Sequence, residues 1–412
     1  MQVTHQSVRT SAMNILVLNP GGNSLKIDVI ACGPNQHYAF EASKSLSVSI
    51  EGIGKQPMLS QLEGKKHVHS QSIEAENYRR ATESFLSWYE QPGDGLPKLA
   101  QIDRIAVRVV HGGREFDAPA LIEQNVEKKI IAFEELAPLH NKSSVEVLAP
   151  LRQRLPNIPI YGVFDTAFHR TIPEHASRYA LPPDLADRHQ ILRYGFHGIS
   201  HRYLLERYAH LVEKTVTACN IVSLHLESGC SVTAVREGKS IDNTMGLTPL
   251  EGLMMGTRSG DIDPSLIPLL MRKEGMHVDE VMTLLNKKSG LLGVSGESLD
   301  TRVLMEHYNS NSRAKLAMDM FSYRVRKAVG AQLAVLGSAE AVVFGGGIGE
   351  NTTSVREYVC EGLRFSGLEI DAEANRSLID IEGRLSTDTS KIAVWVIPTE
   401  EALQIAHECC LA

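Results

Sequence analysis

ILVLNPGGNSLKIDVI, residues 15–30, is two apolar, strand-forming runs bent around Pro20-Gly21-Gly22-Asn23. The glycines mark a turn, and from Ser24 the chain resumes as a strand with partial alternation. The pattern returns at mid-chain. IVSLHL, residues 221–226, runs into Glu227-Ser228-Gly229 and then CSVTAV, followed by a second turn at Arg236-Glu237-Gly238-Lys239. At an offset of 207, Gly22 falls on Gly229, Ser24 on Ser231, Leu25 on Val232 and Val17 on Leu224. That offset is about half of the 412 residues, so it reads as an internal duplication. Two related α/β halves are expected, with a Gly turn from each facing one ligand in a cleft.

Helical patterns separate the strands. Glu74 to Trp88, Ser143 to Leu155, Ser265 to Lys273 and Asp279 to Leu285 are candidates, and Ser312 to Leu336 is the longest. In that last segment Leu316, Met320, Tyr323, Val325, Ala328 and Val335 follow a helical period and are expected to face a core.

Bulk composition narrows the function classes. Hydrophobic residues at 43% are enough for two or three cores. A net charge of −7 and a pI near 6.2 give no support for a nucleic-acid partner. An acidic chain with an anionic substrate must build positive charge locally, from single Arg, Lys and His residues beside Gly-rich loops. The six cysteines form no CxxC pair, which fits a reducing, cytoplasmic setting better than a zinc or disulfide framework. No apolar run approaches membrane-spanning length, so no membrane partner is expected. Residues 1–12 lack an apolar core of a secretory signal and read as a disordered leader, with Met13 as an alternative start.

Several motifs carry chemistry. Arg108-Val109-Val110-His111-Gly112-Gly113 ends an apolar strand in a Gly pair, where an Arg can meet a carboxylate or phosphate. Ala137-Pro138-Leu139-His140-Asn141 puts a His in a loop before a helix. Gly162 to His169, GVFDTAFH, puts Asp165 directly after a strand, and YGFHGISH, residues 194–201, sets His197 between glycines. A lone histidine of this kind is more often structural, but these motifs crowd into one stretch. MGLTPLEGLMMGTRSGDIDP, residues 245–264, is too Gly-rich for a regular helix and too apolar for a disordered loop, and it carries Arg258. VVFGGGIGEN, residues 342–351, is a buried-looking strand running into a Gly-rich turn, with a helix expected from about Ser354. Such a turn brings backbone N–H groups to a phosphate. It has neither Walker nor Rossmann spacing.

Taken together, RVVHGG, APLHN, VFDTAFH, YGFHGISH, MGLTPLEGLMMGTRSGDIDP and GGIGEN resemble the acetate kinase family, in order, from about Ile15 to Ala406. The resemblance implies two duplicated ribonuclease H-like domains of the actin/sugar-kinase type around a nucleotide cleft. The first would span 13–165, joined by 400–412, and the second 166–399 with the nucleotide site. It implies reversible, Mg2+-dependent transfer between ATP and acetate, giving acetyl phosphate and ADP, with Mn2+ as an alternative metal, in a homodimer. Asn19 and Glu401 would help hold the metal. Lys26 would approach ATP phosphate and Arg108 the acid or phosphoryl end of the substrate. Asp165 would be the catalytic carboxylate, and His197 and Arg258 would stabilise the moving phosphoryl with His140 nearby. Val110, Leu139, Phe196 and Pro249 match the pocket for the methyl group. His225, Leu226, Glu227, Ser228 and Gly229 match the second phosphate loop. Asp300, Thr301 and Arg302, with Gly347, Ile348, Gly349, Glu350 and Asn351, would line the rest of the ATP site.

The sequence also departs from the family's pattern. Gly-Ser-Ser-Ser has become Gly21-Gly22-Asn23-Ser24, and His-Leu-Gly-Asn-Gly has become His225-Leu226-Glu227-Ser228-Gly229. Thr-Asn-Glu-Glu has become Thr399-Glu400-Glu401-Ala402, and APLHNPP has become APLHNKSS. These changes bear on ATP turnover more than on fold. A carboxylate at Glu227 is expected to turn toward water, since negative charge beside polyphosphate is unfavourable. An acid such as acetate is already ionised at neutral pH, so no general base is needed and Asp165 reads as an organiser of metal or Arg. A kinase for propionate or butyrate, and a nucleotide-binding relative with impaired turnover, are the alternatives.

Overall fold

The computed structural model describes residues 12–33, 36–91, 97–135 and 141–412. The expected leader up to residue 11, and the expected site residues Leu139 and His140, lie outside the described residues. Two compact units result: one runs to Ala167 and takes in Glu400–Ala412, the other is Phe168–Thr399.

In the first unit the strands are β1 (Met13–Pro20), β2 (Ser24–Cys32), β3 (Ser43–Glu51), β4 (Met58–Glu63), β5 (Lys66–Ser72), β6 (Arg104–Val109), β7 (Ala120–Leu121) and β8 (Ile160–Phe164). Among the described residues they form one sheet in the order β5-β4-β3-β2-β1-β6-β8-β7. β1, β2 and β3 pair antiparallel, whereas β1, β6 and β8 run parallel. The turn quoted first closes with Gly21 N donating to Ser24 O at 2.8 Å. Register then puts Asn19 directly opposite Lys26. Leu16, Leu18, Ile27, Val29 and Val107 pack with Phe85 and Leu148 in this unit's core. The C-terminal helix, Glu401–Leu411, is buried from Ala402 to Cys410 and packs on β1, β2 and β6.

In the second unit the strands are β9 (Ile221–Leu226), β10 (Cys230–Arg236), β11 (Lys239–Asn243), β12 (Ala341–Gly345), β13 (Gly383–Arg384) and β14 (Ala393–Val396), ordered β11-β10-β9-β12-β14-β13. β9, β10 and β11 are antiparallel neighbours, and β9, β12 and β14 are parallel. This repeats the sense and order of β3-β2-β1-β6-β8. The duplication seen at an offset of 207 is therefore also a duplication of topology. β9 and β12 are buried at every residue, as central parallel strands covered on both faces must be.

The helices differ from expectation in instructive ways. The first, α1 (Tyr78–Tyr89), starts four residues later than Glu74 because the Asn77 side chain accepts from Arg80 N at 2.9 Å and caps it there. The segment expected as Ser143 to Leu155 is two short helices, α2 (Asn141–Glu146) and α3 (Leu148–Arg154). Pro150 has no N–H to give the carbonyl of Glu146, so one helix cannot continue through it. YGFHGISH opens α4 (Gly198–Leu211), and α5 (Leu266–Glu274) and α6 (Val278–Lys287) follow within a residue or two of their expected bounds. After α7 (Thr301–Glu306), α8 spans Ser312–Leu336 as expected, but its buried face is different. Ala314, Ala317, Phe321, Val325 and Val329 face inward, whereas Leu316, Tyr323 and Val335 are exposed. This inward face packs on β10, on α7 and on the helix Thr353–Glu361, and the apolar Leu316, Tyr323 and Val335 are left on the outer face. The helix expected from about Ser354 is present from Thr353, but the Gly-rich segment after β12 is not a turn. It is itself helical, α9 (Gly346–Asn351), followed by α10 (Thr353–Glu361).

Candidate active site

In the first unit, four expected site residues meet at the ends of β1, β6 and β8 and the start of the C-terminal helix. Arg108 donates from Nε to Oδ2 of Asp165 at 3.0 Å, and its Nη2 bonds the same oxygen. Its Nη1 donates to Oδ1 of Asn19 at 3.0 Å and lies 3.6 Å from Oε2 of Glu401. Asn19 Nδ2 donates to Glu401 Oε2 at 2.8 Å, which closes the ring of contacts. Asp165 is fully buried, and the side chains of Arg108 and Glu401 are only 13% and 15% exposed, so these charges act on one another with little screening. Lys26 lies on the β2 position facing Asn19, exposed to solvent. Val110 is buried just beyond β6.

The backbone carrying Arg108 and Val110 is clamped by residues that sequence reasoning quoted within motifs without assigning a task. Asn141 Oδ1 accepts from His111 N at 2.9 Å, while its Nδ2 donates to His111 O at 3.0 Å. Thr166 Oγ1 accepts from Gly112 N at 3.0 Å, and Ser144 Oγ donates to Arg108 O at 2.8 Å. APLHN and VFDTAFH thus share a structural reason for their polar residues.

In the second unit, His197 caps α4 in a left-handed conformation, φ 59° and ψ 28°. A non-glycine residue there carries some strain, which a structure retains where the side chain must be aimed. Its ring lies 4.3 Å, centroid to centroid, from that of His225 on β9. A β-carbon placed on Gly229 would sit 3.1 Å from His197 Nε2 and 3.4 Å from Arg258 Nη1. The absent side chain at Gly229 therefore opens a position that an imidazole nitrogen and a guanidinium both face. Arg258 Nη1 is steadied by the carbonyl of Pro249 at 3.0 Å. Phe196 and Pro249 are buried beside these groups in the sequence and the loop.

Next to them lie the Gly-rich loops. Strand register sets His225 beside Gly345, so the segments leaving β9 and β12 are neighbours. Gly346 has φ +75°, and a β-carbon on it would lie 2.6 Å from Leu226 O, so only glycine fits. Ser228 O accepts from Gly256 N at 3.1 Å, tying this loop to the Arg258 segment. The Glu227 side chain is 47% exposed, with Oε2 3.6 Å from Nε2 of His225: half turned to water, half leaning on a histidine. Within α9, Asn351 Nδ2 donates to Gly347 O at 2.9 Å. Glu350 turns inward, accepting from Thr399 N at 2.9 Å and from its Oγ1 at 3.1 Å. Asp300 caps α7 through Arg302 N at 2.9 Å and pairs with the exposed Arg302 guanidinium, which holds its carboxyl below the usual range. Thr301 is buried against Thr352 at 3.1 Å.

Arg356 is a residue that sequence reasoning missed. It is fully buried in α10 and donates to the carbonyls of Gly349, Glu350, Asn375 and Leu378 and to Oδ1 of Asn375, at 2.8–3.3 Å. Burial pushes its pKa down to about 10. It fixes the C-terminal end of the Gly-rich helix. No motif marked it, because an Arg on an ordinary helical stretch reads as a solvated residue.

A model of the acetokinase family matches residues 14–407. The chain belongs to the acetokinase family. The acetate kinase of Chloroherpeton thalassium is 42% identical, over 96% of this chain and 98% of that relative. The crystal structure of Porphyromonas gingivalis acetate kinase superposes with a TM-score of 0.86 at 37% identity, covering 96% of this chain and 98% of that one. The propionate kinase of Francisella tularensis gives 0.85 at 37% identity, with the same coverage. The two-sheet α/β fold of this acetokinase is thus the actin/sugar-kinase-like fold of those structures.

The family implies a divalent metal, which the residues can be tested against. Among the described residues no three His, Cys, Asp or Glu side chains group as a metal site. Asn19 and Glu401 nevertheless offer an amide oxygen and a carboxylate, hard donors that suit Mg2+. That ion retains waters and substrate phosphates as its other ligands. The donor set fits. Glu400, where this acetokinase departs from the pattern, is engaged elsewhere: it pairs with Lys44 Nζ on β3 at 2.5 Å.

Proposed function

We propose that this chain is an acetate kinase, transferring the γ-phosphoryl of ATP reversibly to the carboxylate of acetate. The observation that carries the reading is the approach of His197 Nε2 and Arg258 Nη1 to one point over Gly229, beside the loops at 226–229 and 346–351. Phosphoryl transfer asks for positive charge and N–H donors around the moving group, and these two side chains supply both. Loops 226–229 and 347–351 would take the ATP phosphates, with Asp300 to Arg302 near the adenosine. In the first unit Arg108 would hold the anionic end of the substrate and Val110 would bound its methyl group. Asp165 would keep the guanidinium oriented, with no proton to accept. Lys26 would approach phosphate. Asn19 and Glu401 would hold Mg2+, which supplies charge neutralisation on phosphate oxygens. His140, Leu139, Phe196 and Pro249 keep the roles the family resemblance implies. A cytoplasmic homodimer that uses acetate and ATP, and neither nucleic acid nor membrane, completes the proposal.

Propionate is the second reading, favoured by the likeness to a propionate kinase structure. One methylene in an apolar pocket is worth only about 1–3 kcal/mol. Trapping acyl phosphate with hydroxylamine, in parallel with acetate, propionate and butyrate, tests both readings. Hydroxamate formed fastest from acetate, and only with ATP and Mg2+, is the expected result; no hydroxamate from any of the three acids would leave a nucleotide-binding relative without turnover.

A further inference from the structure

Behind His197 runs a buried chain of alternating imidazoles and hydroxyls. His197 Nδ1 is 2.9 Å from Ser231 Oγ, Ser231 Oγ is 2.8 Å from His201 Nε2, and His201 Nδ1 is 2.8 Å from Ser223 Oγ. Ser231, His201 and Ser223 are completely buried. β9 and β10 present the two serines, and α4 presents both histidines, four residues apart. His169 packs edge-on against His201 at 5.7 Å and is itself held by Ser240 Oγ and the carbonyl of Phe196.

The proton count in this chain is constrained. A hydroxyl has one proton to donate, and Ser231 stands between two ring nitrogens. It can donate to at most one of them and must accept from the other. His201 is neutral: burial drives its pKa well below 6.5, and His169 and His225 push the same way. A neutral ring has one N–H. If Ser223 donates to His201 Nδ1, then His201 Nε2–H donates to Ser231, and Ser231 donates to His197 Nδ1. The proton of an uncharged His197 is then on Nε2, the nitrogen nearest the point over Gly229. The opposite direction would put that proton on Nδ1 and turn a lone pair toward an anionic phosphoryl group, which is repulsive.

We propose that Ser231 is a positioning residue for phosphoryl transfer, with His201 and Ser223 behind it: its hydroxyl fixes the proton of His197 on Nε2 and holds the ring aimed at the moving group. The proposal rests on the kinase reading for the direction of the hydrogen bonds and for its consequence, but not for the geometry of the chain. Around His197, the His225 ring lies 4.3 Å away with Glu227 leaning on it, Arg258 approaches over Gly229, and His201 and His169 lie beyond Ser231.

Two measurements test it. The ring-nitrogen NMR spectrum of the full-length protein, labelled with 15N-histidine, reads the tautomer directly. A protonated Nε2 and an unprotonated Nδ1 at His197 in neutral buffer are expected; an Nδ1–H tautomer or an imidazolium overturns the proposal. Ser231→Ala should then mix the tautomers and lower kcat by about 10-fold or more, in the range seen when the partner of a working histidine is removed. KM for acetate and for ATP should move less than about twofold, and Ser231→Thr, which keeps the hydroxyl, should recover most of kcat. A kcat within about twofold of the parent in a folded Ser231→Ala, or an unchanged His197 spectrum, overturns it. If Ser231→Ala does not fold, the parent spectrum still decides. A parent protein that forms no acyl phosphate but shows the Nε2–H tautomer would refute the kinase reading while leaving the hydrogen-bond chain intact.

Discussion

Gly229→Ala is the perturbation that most directly probes the second unit's half of the chemistry. The new methyl would stand 3.1 Å from His197 Nε2, 3.2 Å from its Cε1 and 3.4 Å from Arg258 Nη1. The first two are shorter than ordinary van der Waals contact, so the imidazole must retreat by a few tenths of an ångström. It has little room, because Ser231 holds its far nitrogen at 2.9 Å and the His225 ring lies 4.3 Å away. Gly229 has no positive φ, so the backbone itself accepts alanine, and the global stability should change by no more than about 1 kcal/mol. Removing one electrostatic donor outright costs roughly 100–1000-fold in kcat, and that is the loss expected for Arg258→Ala. Displacing two donors without removing either should cost less, about 10–100-fold. Hydroxamate formation from acetate, ATP and hydroxylamine reads kcat, and a thermal melt reads stability. If Gly229→Ala is folded and turns over within about twofold of the parent, His197 and Arg258 do not act over Gly229 and the site has been placed wrongly.

Four further outcomes are expected. Val110→Ala should raise kcat/KM for propionate relative to acetate by the equivalent of about 1–3 kcal/mol; an unchanged ratio puts the methyl group elsewhere. Glu227→Gly with Ser228→Asn should leave KM for ATP within about threefold, because the Glu227 carboxylate is half exposed and screened; a tightening of tenfold or more would mean that it points into the phosphate field. Arg356→Leu should destabilise by roughly 3–5 kcal/mol in chemical denaturation, as the carbonyls of Gly349, Glu350, Asn375 and Leu378 lose their buried donor; a loss under about 1 kcal/mol would mean that water replaces the guanidinium. His169 has its pKa lowered by burial from 6.5 to about 4, so the unfolded chain takes up its proton first on acidification. Its contribution to stability is complete above pH 6.5 and is lost as pH falls through the interval down to about 4, amounting to roughly 3 kcal/mol. His169→Gln should flatten that part of the stability–pH curve, and an unaltered slope would assign it to other groups.

What could be read in the sequence was set by how local each cause is. The duplicated strand–turn–strand was legible because alternation, β-branched residues and glycines act within a few residues of one another, and both copies fold into the same ladder sense. The extent of α8 was legible for the same reason. Its buried face was not, since the periods through Leu316 and through Phe321 are both helical, and only tertiary packing chooses between them. Pro150 could have split the helix expected at 143–155, had its missing N–H been weighed above the apolar period. At the site, residues in Gly-rich motifs announced themselves. Arg356 and Ser231 did not, because a buried Arg that serves carbonyls and a serine on a strand leave no local pattern. Their partners sit outside the element's own helical or strand period and are met only once the chain has folded.

The two units solve the same electrostatic problem with different means. In the first, the single charge of Arg108 faces the carboxylates of Asp165 and Glu401, at 3.0 Å from the former and 3.6 Å from the latter. That guanidinium is shared between two carboxylates in a poorly screened place, and a cation bound beside them would add positive charge for an acid anion to meet. Mg2+ held by Asn19 and Glu401 would supply such charge and would neutralise phosphate oxygens. The fully buried Asp165 keeps Arg108 oriented. In the second unit the positive end is assembled from Arg258, steadied by a backbone carbonyl, and from an imidazole whose N–H can be aimed without bearing charge. A chain with an overall charge of −7 can thus handle a polyanion, because attraction is confined to a few oriented groups and nothing is asked of the surface as a whole.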